Sequence, residues 1–87
     1  MDLESKKRLL EELAWRLGVE VVYESMASRW STSGGLCRLG PKKMIIIDAN
    51  APRVDQIGVL LDALGRFDLD SLFVPPIIRR ELLQRRH

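Results

Sequence analysis

The chain reads as a small α+β domain, and three observations carry that assignment. A helix-period apolar stripe occupies the N-terminus. Three short strand-like runs follow within residues 19–48. Two further amphipathic segments, each opened by proline, close the chain. The expected order is α-β-β-β-α-α, with a three-stranded, mostly antiparallel sheet packed by helices. At 87 residues there is room for one domain, spanning residues 1–87.

The first helix comes from Leu3, Leu10, Leu13, Ala14 and Leu17, which recur at three- and four-residue spacings, with Lys7, Glu11, Glu12 and Arg16 on the other side. Gly18 follows as its C-terminal cap. Residues 19–25 (VEVVYES) read as the first strand. A polar loop carries Arg29 and Trp30. Leu36 to Leu39 and Met44 to Asp48 then form strands joined at Gly40-Pro41-Lys42, a hairpin signature. The unbroken run Met44-Ile45-Ile46-Ile47 predicts a central strand or one covered on both faces. Odd-even alternation in the preceding strand would turn Cys37 inward with Leu39. Pro52 opens a second helix that places Val54, Ile57, Leu60, Leu61, Leu64 and Phe67 on one side. Gly58 and Gly65 fall within this segment and mark possible close packing. Pro75-Pro76 opens the last helix, Ile77 to Arg86, with Ile77, Ile78, Leu82 and Leu83 expected inward. Trp15 is expected to pack at the margin of the first helix.

Composition narrows the function. With 46% hydrophobic residues the chain is too apolar for disorder, and it has no apolar run of membrane-spanning length. One cysteine excludes an internal disulfide framework and a cysteine-built zinc site. The N-terminus lacks a signal-peptide core, so a cytoplasmic location is expected. The net charge of +2 conceals an uneven distribution. Residues 1–17 balance at zero, residues 48–70 carry −3 and residues 77–87 carry +3. An acidic middle and a basic tail can attract one another within the fold or across a dimer, which weakens the case for nucleic acid.

The arrangement GGLCRL-GPKK-MIIID, a proline-led connection and the helix PRVDQIGVLLDALGRF resembles the core of the ImmA/IrrE-type zinc peptidase-like proteins. In that family a strand leads through a short loop into a helix bearing H-E-L-G-H. The motif position falls here on Asp62-Ala63-Leu64-Gly65-Arg66, with the Leu-Gly pair retained. A zincin needs two imidazoles at i and i+4 on one helical face and a glutamate as general base. Asp62 and Arg66 stand in place of the histidines and Ala63 in place of the glutamate. Arginine has no lone pair for a metal, and alanine accepts no proton. The resemblance therefore implies a relict fold without metal or cofactor and without peptidase activity. Asp62 and Arg66 are expected to form an i,i+4 ion pair. An ordinary helix following an ordinary hairpin accounts for the same residues, with Gly65 serving packing or fraying.

Other candidates offer little chemistry. His87 is terminal and assembles no nucleophile system. Ser33-Gly34-Gly35 precedes a strand, whereas a phosphate cradle needs a helix N-terminus. Asp48 and Asp68 read as turn residues and Asp55 as a first-turn carboxylate. A residual enzyme reading requires Asp48, Asp62 and Cys37 to converge. The chain is expected to be non-enzymatic and to act by protein–protein contact, homodimerisation included. Trp and Arg are residue types enriched at binding hot spots, which singles out Arg29 and Trp30. The Trp30 ring folding back over a small core is the other reading. A domain of this size buries only about 60–65% of its unfolded surface, which adds to the case for a partner subunit. The alternative is a nucleic-acid-associated regulator using Lys42, Lys43, Arg79, Arg80, Arg85 and Arg86.

Overall fold

The structure, a computed structural model, describes residues 1–25 and 33–85. Its elements are α1 (Leu3–Arg16), β1 (Glu20–Glu24), β2 (Gly34–Leu39), β3 (Lys42–Asp48), α2 (Arg53–Leu64) and α3 (Pro76–Gln84), so the α+β class and the order α-β-β-β-α-α hold. No helix among the described residues is long and apolar enough to cross a membrane.

Local chemistry sets the ends of α1. The Asp2 carboxylate accepts the Ser5 amide at 2.7 Å, and this bond holds the carboxyl below its ordinary value. At the other end the Val19 amide reaches back to the Ala14 carbonyl at 2.9 Å and the Gly18 amide to that of Trp15 at 3.0 Å. These are the paired bonds of a Schellman motif, which requires the left-handed conformation that Gly18 adopts at φ +73°.

The strand order is β1-β3-β2. β2 and β3 form the expected antiparallel hairpin, whereas β1 runs parallel to β3, so the sheet is mixed rather than mostly antiparallel. The most apolar strand has taken the centre, which separates β1 from β2, its neighbour in sequence. At the head of β2, Gly34 lies so close to β3 that a Cβ would sit 2.0 Å from the Ile46 carbonyl oxygen. Only glycine fits that position.

α1 and α2 pack on one face of the sheet. Ile45 and Ile47 are fully buried there in one core with Leu10, Leu13, Leu60 and Leu64, and Val21, Tyr23 and Leu36 pack around them. α3 adds Ile78 and Leu82 from beyond α2. The opposite face has no helix over it among the described residues. Val22, Met44 and Ile46 are half-buried there, and Cys37 and Leu39 are exposed. Central placement of β3 is thus correct, and among the described residues no helix covers its second face.

Several side chains depart from the sequence expectation. Cys37 points outward with Leu39, because the hairpin pairs Leu36 with Ile45 and so turns the even-numbered residue toward the helices. Trp15 is 79% exposed and packs at no margin. Val54, Ile77 and Leu83 are also exposed, at 60%, 57% and 55%, because their helices bury Ile57, Ile78 and Leu82 instead.

Polar ties complete the packing. The buried Gln56 side chain donates to the Asp48 carbonyl at 2.9 Å and pins the start of α2 to the end of β3. Lys6 lies 3.1 Å from both carboxylate oxygens of Glu81, joining α1 to α3. Asp48 and Asp68 act as turn residues, accepting the amides two positions on at 3.0 Å each. Between α1 and β1, the Tyr23 hydroxyl donates to Glu11 while Lys7 sits 4.7 Å above the ring.

Burial, and then the Glu11 carboxylate, push the Tyr23 phenol well above its ordinary value of 10.0. A group raised in the folded state contributes stability that is complete below its unfolded pKa and is lost as pH rises through the native value. Thermal melts of wild type and Tyr23→Phe between about pH 9 and pH 11 check this. Wild-type stability is expected to fall more steeply than that of the variant over this interval.

Candidate functional site

The antiparallel hairpin leaves one edge of the sheet open, and α2 lies beside it. The Asp48 amide donates to the Ser33 carbonyl at 2.7 Å, which sets the ladder bonds at residues 33, 35, 37 and 39 of this side of the hairpin. Leu36 and Arg38 therefore direct their backbone N–H and C=O groups away from β3. Among the described residues no strand pairs with that side of β2.

Between this edge and α2 lies a groove of about 470 Å³. Leu36 forms one wall, and Val54, Asp55, Gly58, Asp62 and Arg66 line the other. The three positions that the zincin-like resemblance singled out, Asp62, Ala63 and Arg66, all face this one groove. The expected Asp62–Arg66 ion pair is not formed. Asp62 instead accepts a 2.7 Å bond from Arg85, the residue that caps α3. This pair joins the acidic middle of the chain to its basic tail, one of the two attractions that the charge distribution allowed. Arg66 and Asp55 have no ion-pair partner among the described residues.

The two glycines of the α2 segment turn out to differ. A Cβ on Gly65 would lie 3.0 Å from the Leu82 carbonyl oxygen and 3.1 Å from that of Leu61, so this glycine permits α3 to close on α2. A Cβ on Gly58 would meet nothing nearer than the Arg85 guanidinium at 4.0 Å. Packing within the chain gives no reason for a glycine at that helix-interior position, where it costs about 1 kcal/mol relative to alanine.

The other candidates are dispersed. Arg29, Trp30, Arg86 and His87 lie outside the described residues. Lys42 pairs with Glu20 at 3.1 Å, and Lys43 sits 5.1 Å over the Phe67 ring. Arg79 is half-buried and donates to the Leu72 carbonyl at 3.1 Å, holding the connection before α3. Arg80 is exposed. Asp48 and Cys37 are not brought to Asp62, and no group of three or more His, Cys, Asp or Glu able to share a metal ion occurs among the described residues. Leu36, Asp55 and Gly58 were not singled out by motif reading. Their common feature is spatial, and the unexplained helix glycine was the one signal in the sequence that pointed there.

No family model, no curated protein and no solved structure matches the chain.

Replacing each glycine by alanine separates packing from surface. Gly58→Ala is expected to raise stability by about 0.5–1 kcal/mol, and Gly65→Ala to lower it by about 1–3 kcal/mol. Chemical denaturation of the two variants against wild type measures both signs.

Proposed function

We propose that this domain is a non-catalytic cytoplasmic binding module, a zincin-like relict without metal, that takes a protein partner along the groove between β2 and α2. A second copy of the chain is among the partners this reading admits. The observation that carries it is the pairing of an open strand edge, at Leu36 and Arg38, with a helix face that is kept low by a glycine the fold does not need. Strand addition uses such an edge for affinity and the adjoining groove for specificity. Catalysis finds no support at the same place. Asp62 is engaged by Arg85, Ala63 has no functional group, and Arg66 is a permanent cation.

The nucleic-acid reading has less behind it. Of its six basic residues, Lys42, Lys43, Arg79 and Arg85 are all occupied by contacts within the fold. Phosphate contact would have to release them.

Gly58→Leu fills the groove without touching the core. Arg38→Pro removes an outward N–H without breaking a ladder bond, which an edge strand tolerates. Affinity capture from lysate is run with wild type and both variants, after circular dichroism has shown that each is folded. Wild type is expected to retain a protein partner at about 0.5 M salt, and both variants to lose it. Capture of the same protein equally by all three, or capture of nucleic acid that disappears at high salt, would overturn the reading.

A further inference from the structure

The unpaired charges of the groove are arranged in a way that a two-fold axis satisfies. Asp55 and Arg66 are eleven positions apart on the same stripe of α2 and its C-terminal turn, a separation of about 16 Å at 1.5 Å per residue. Both face the groove, and neither has an ion-pair partner among the described residues. An antiparallel copy of the same helix, centred between residues 60 and 61, brings Asp55 opposite Arg66 of the second copy and Arg66 opposite its Asp55. Gly58 lies between the two charges and keeps the helix surface low.

The strand edge obeys the same axis. β2 paired with itself in antiparallel fashion about Leu36 exchanges the two outward bonds of that residue with Leu36 of the second copy. Each Arg38 is then displaced from Arg38 of the second copy, so no like charges oppose one another. The level agrees as well. Lys43 lies against Phe67, and the Asp48 carbonyl against Gln56, so α2 runs down β3 from its top to the hairpin end. Leu36, paired with Ile45, is thus level with the middle of α2.

The lateral spacing also fits. α2 packs on both β2 and β3, and strands lie about 4.8 Å apart, so its axis is about 5 Å from a dyad at the outer edge of β2. The two copies of α2 then approach to about 10 Å, the upper end of ordinary helix packing at 8–10 Å.

We infer that the occupant of the groove is a second copy of this chain. It forms a symmetric dimer in which β2 pairs with β2 across the dyad, making a six-stranded sheet, and α2 packs on α2 with two reciprocal Asp55–Arg66 ion pairs. The inference rests on the groove reading above and names its partner. An isologous contact of this kind closes on itself and leaves no repeating edge.

Molar mass by light scattering across a dilution series tests it, with wild type, Asp55→Arg, Arg66→Asp, the double variant and Gly58→Leu. Wild type is expected to be a dimer at the concentrated end. Each single charge reversal should weaken the dimer by on the order of tenfold or more, because it sets like charges against each other. The double reversal should recover wild-type dimerisation to within about threefold, since it rebuilds both pairs in the opposite sense. Gly58→Leu should be monomeric and folded. A wild-type monomer at every concentration overturns the dimer, as does a double variant no better than the singles. If such a monomer still captures a partner that Gly58→Leu loses, the groove reading stands and only the second copy is removed. If capture is also indifferent to Gly58→Leu, both fall.

Discussion

The register of the β2–β3 hairpin is the constraint on which the rest of the structure depends. Gly34 meets the backbone of Ile46 so closely that no side chain fits, and the Leu39–Lys42 pair closes the other end of the ladder. With both ends held, Leu36 is turned to the helices opposite Ile45, and Cys37 and Leu39 are turned out. A slip of one residue would exchange these faces and carry Ile45 and Ile47 out of the core. The same register decides which backbone groups of β2 point away from the sheet, and so creates the open edge at Leu36 and Arg38.

The second helix converts that edge into a groove. Gln56 anchors its first turns to the end of β3, and Phe67 meets Lys43 near the hairpin, so α2 runs the length of the strands with its outer face beside β2. Gly65 admits α3 against this helix, and Arg85 at the end of α3 engages Asp62. What remains without an ion-pair partner among the described residues on the groove side of α2 is one acid and one base, Asp55 and Arg66, on either side of a glycine. In a small domain whose core draws on all three helices, such a surface is a place where association adds burial that the chain alone does not supply.

Much of this was legible in the sequence where the cause is local. The apolar spacing of α1, the Gly18 cap, the Gly40-Pro41 turn and the proline-led helices each follow from residues within a few positions of one another. Helix spacing also puts Asp62 and Arg66 on one side of α2, where both line the groove. Features set by distant residues were not legible. The parallel pairing of β1 depends on which strand takes the centre. The orientation of Cys37 is opposite to what its neighbour Arg38 suggests, because the pairing of Leu36 with Ile45 turns Leu36 and Arg38 to the helix side and Cys37 and Leu39 outward. Local spacing pointed Asp62 to Arg66, but the fold brings Arg85, 23 residues away, closer. Leu36, Gly58 and Asp55 become a site only once β2 and α2 lie side by side.

On the proposed dimer, the outer edge of β2 is a binding edge used by a second copy of the chain. Amide hydrogen exchange resolved at residues 35 to 37, at low and high protein concentration, addresses it most directly. The amides of Gly35 and Cys37 bond within the hairpin and should be protected at both concentrations. The Leu36 amide should exchange freely when dilute and become protected when concentrated. Exchange at Leu36 that is fast at every concentration would contradict the account.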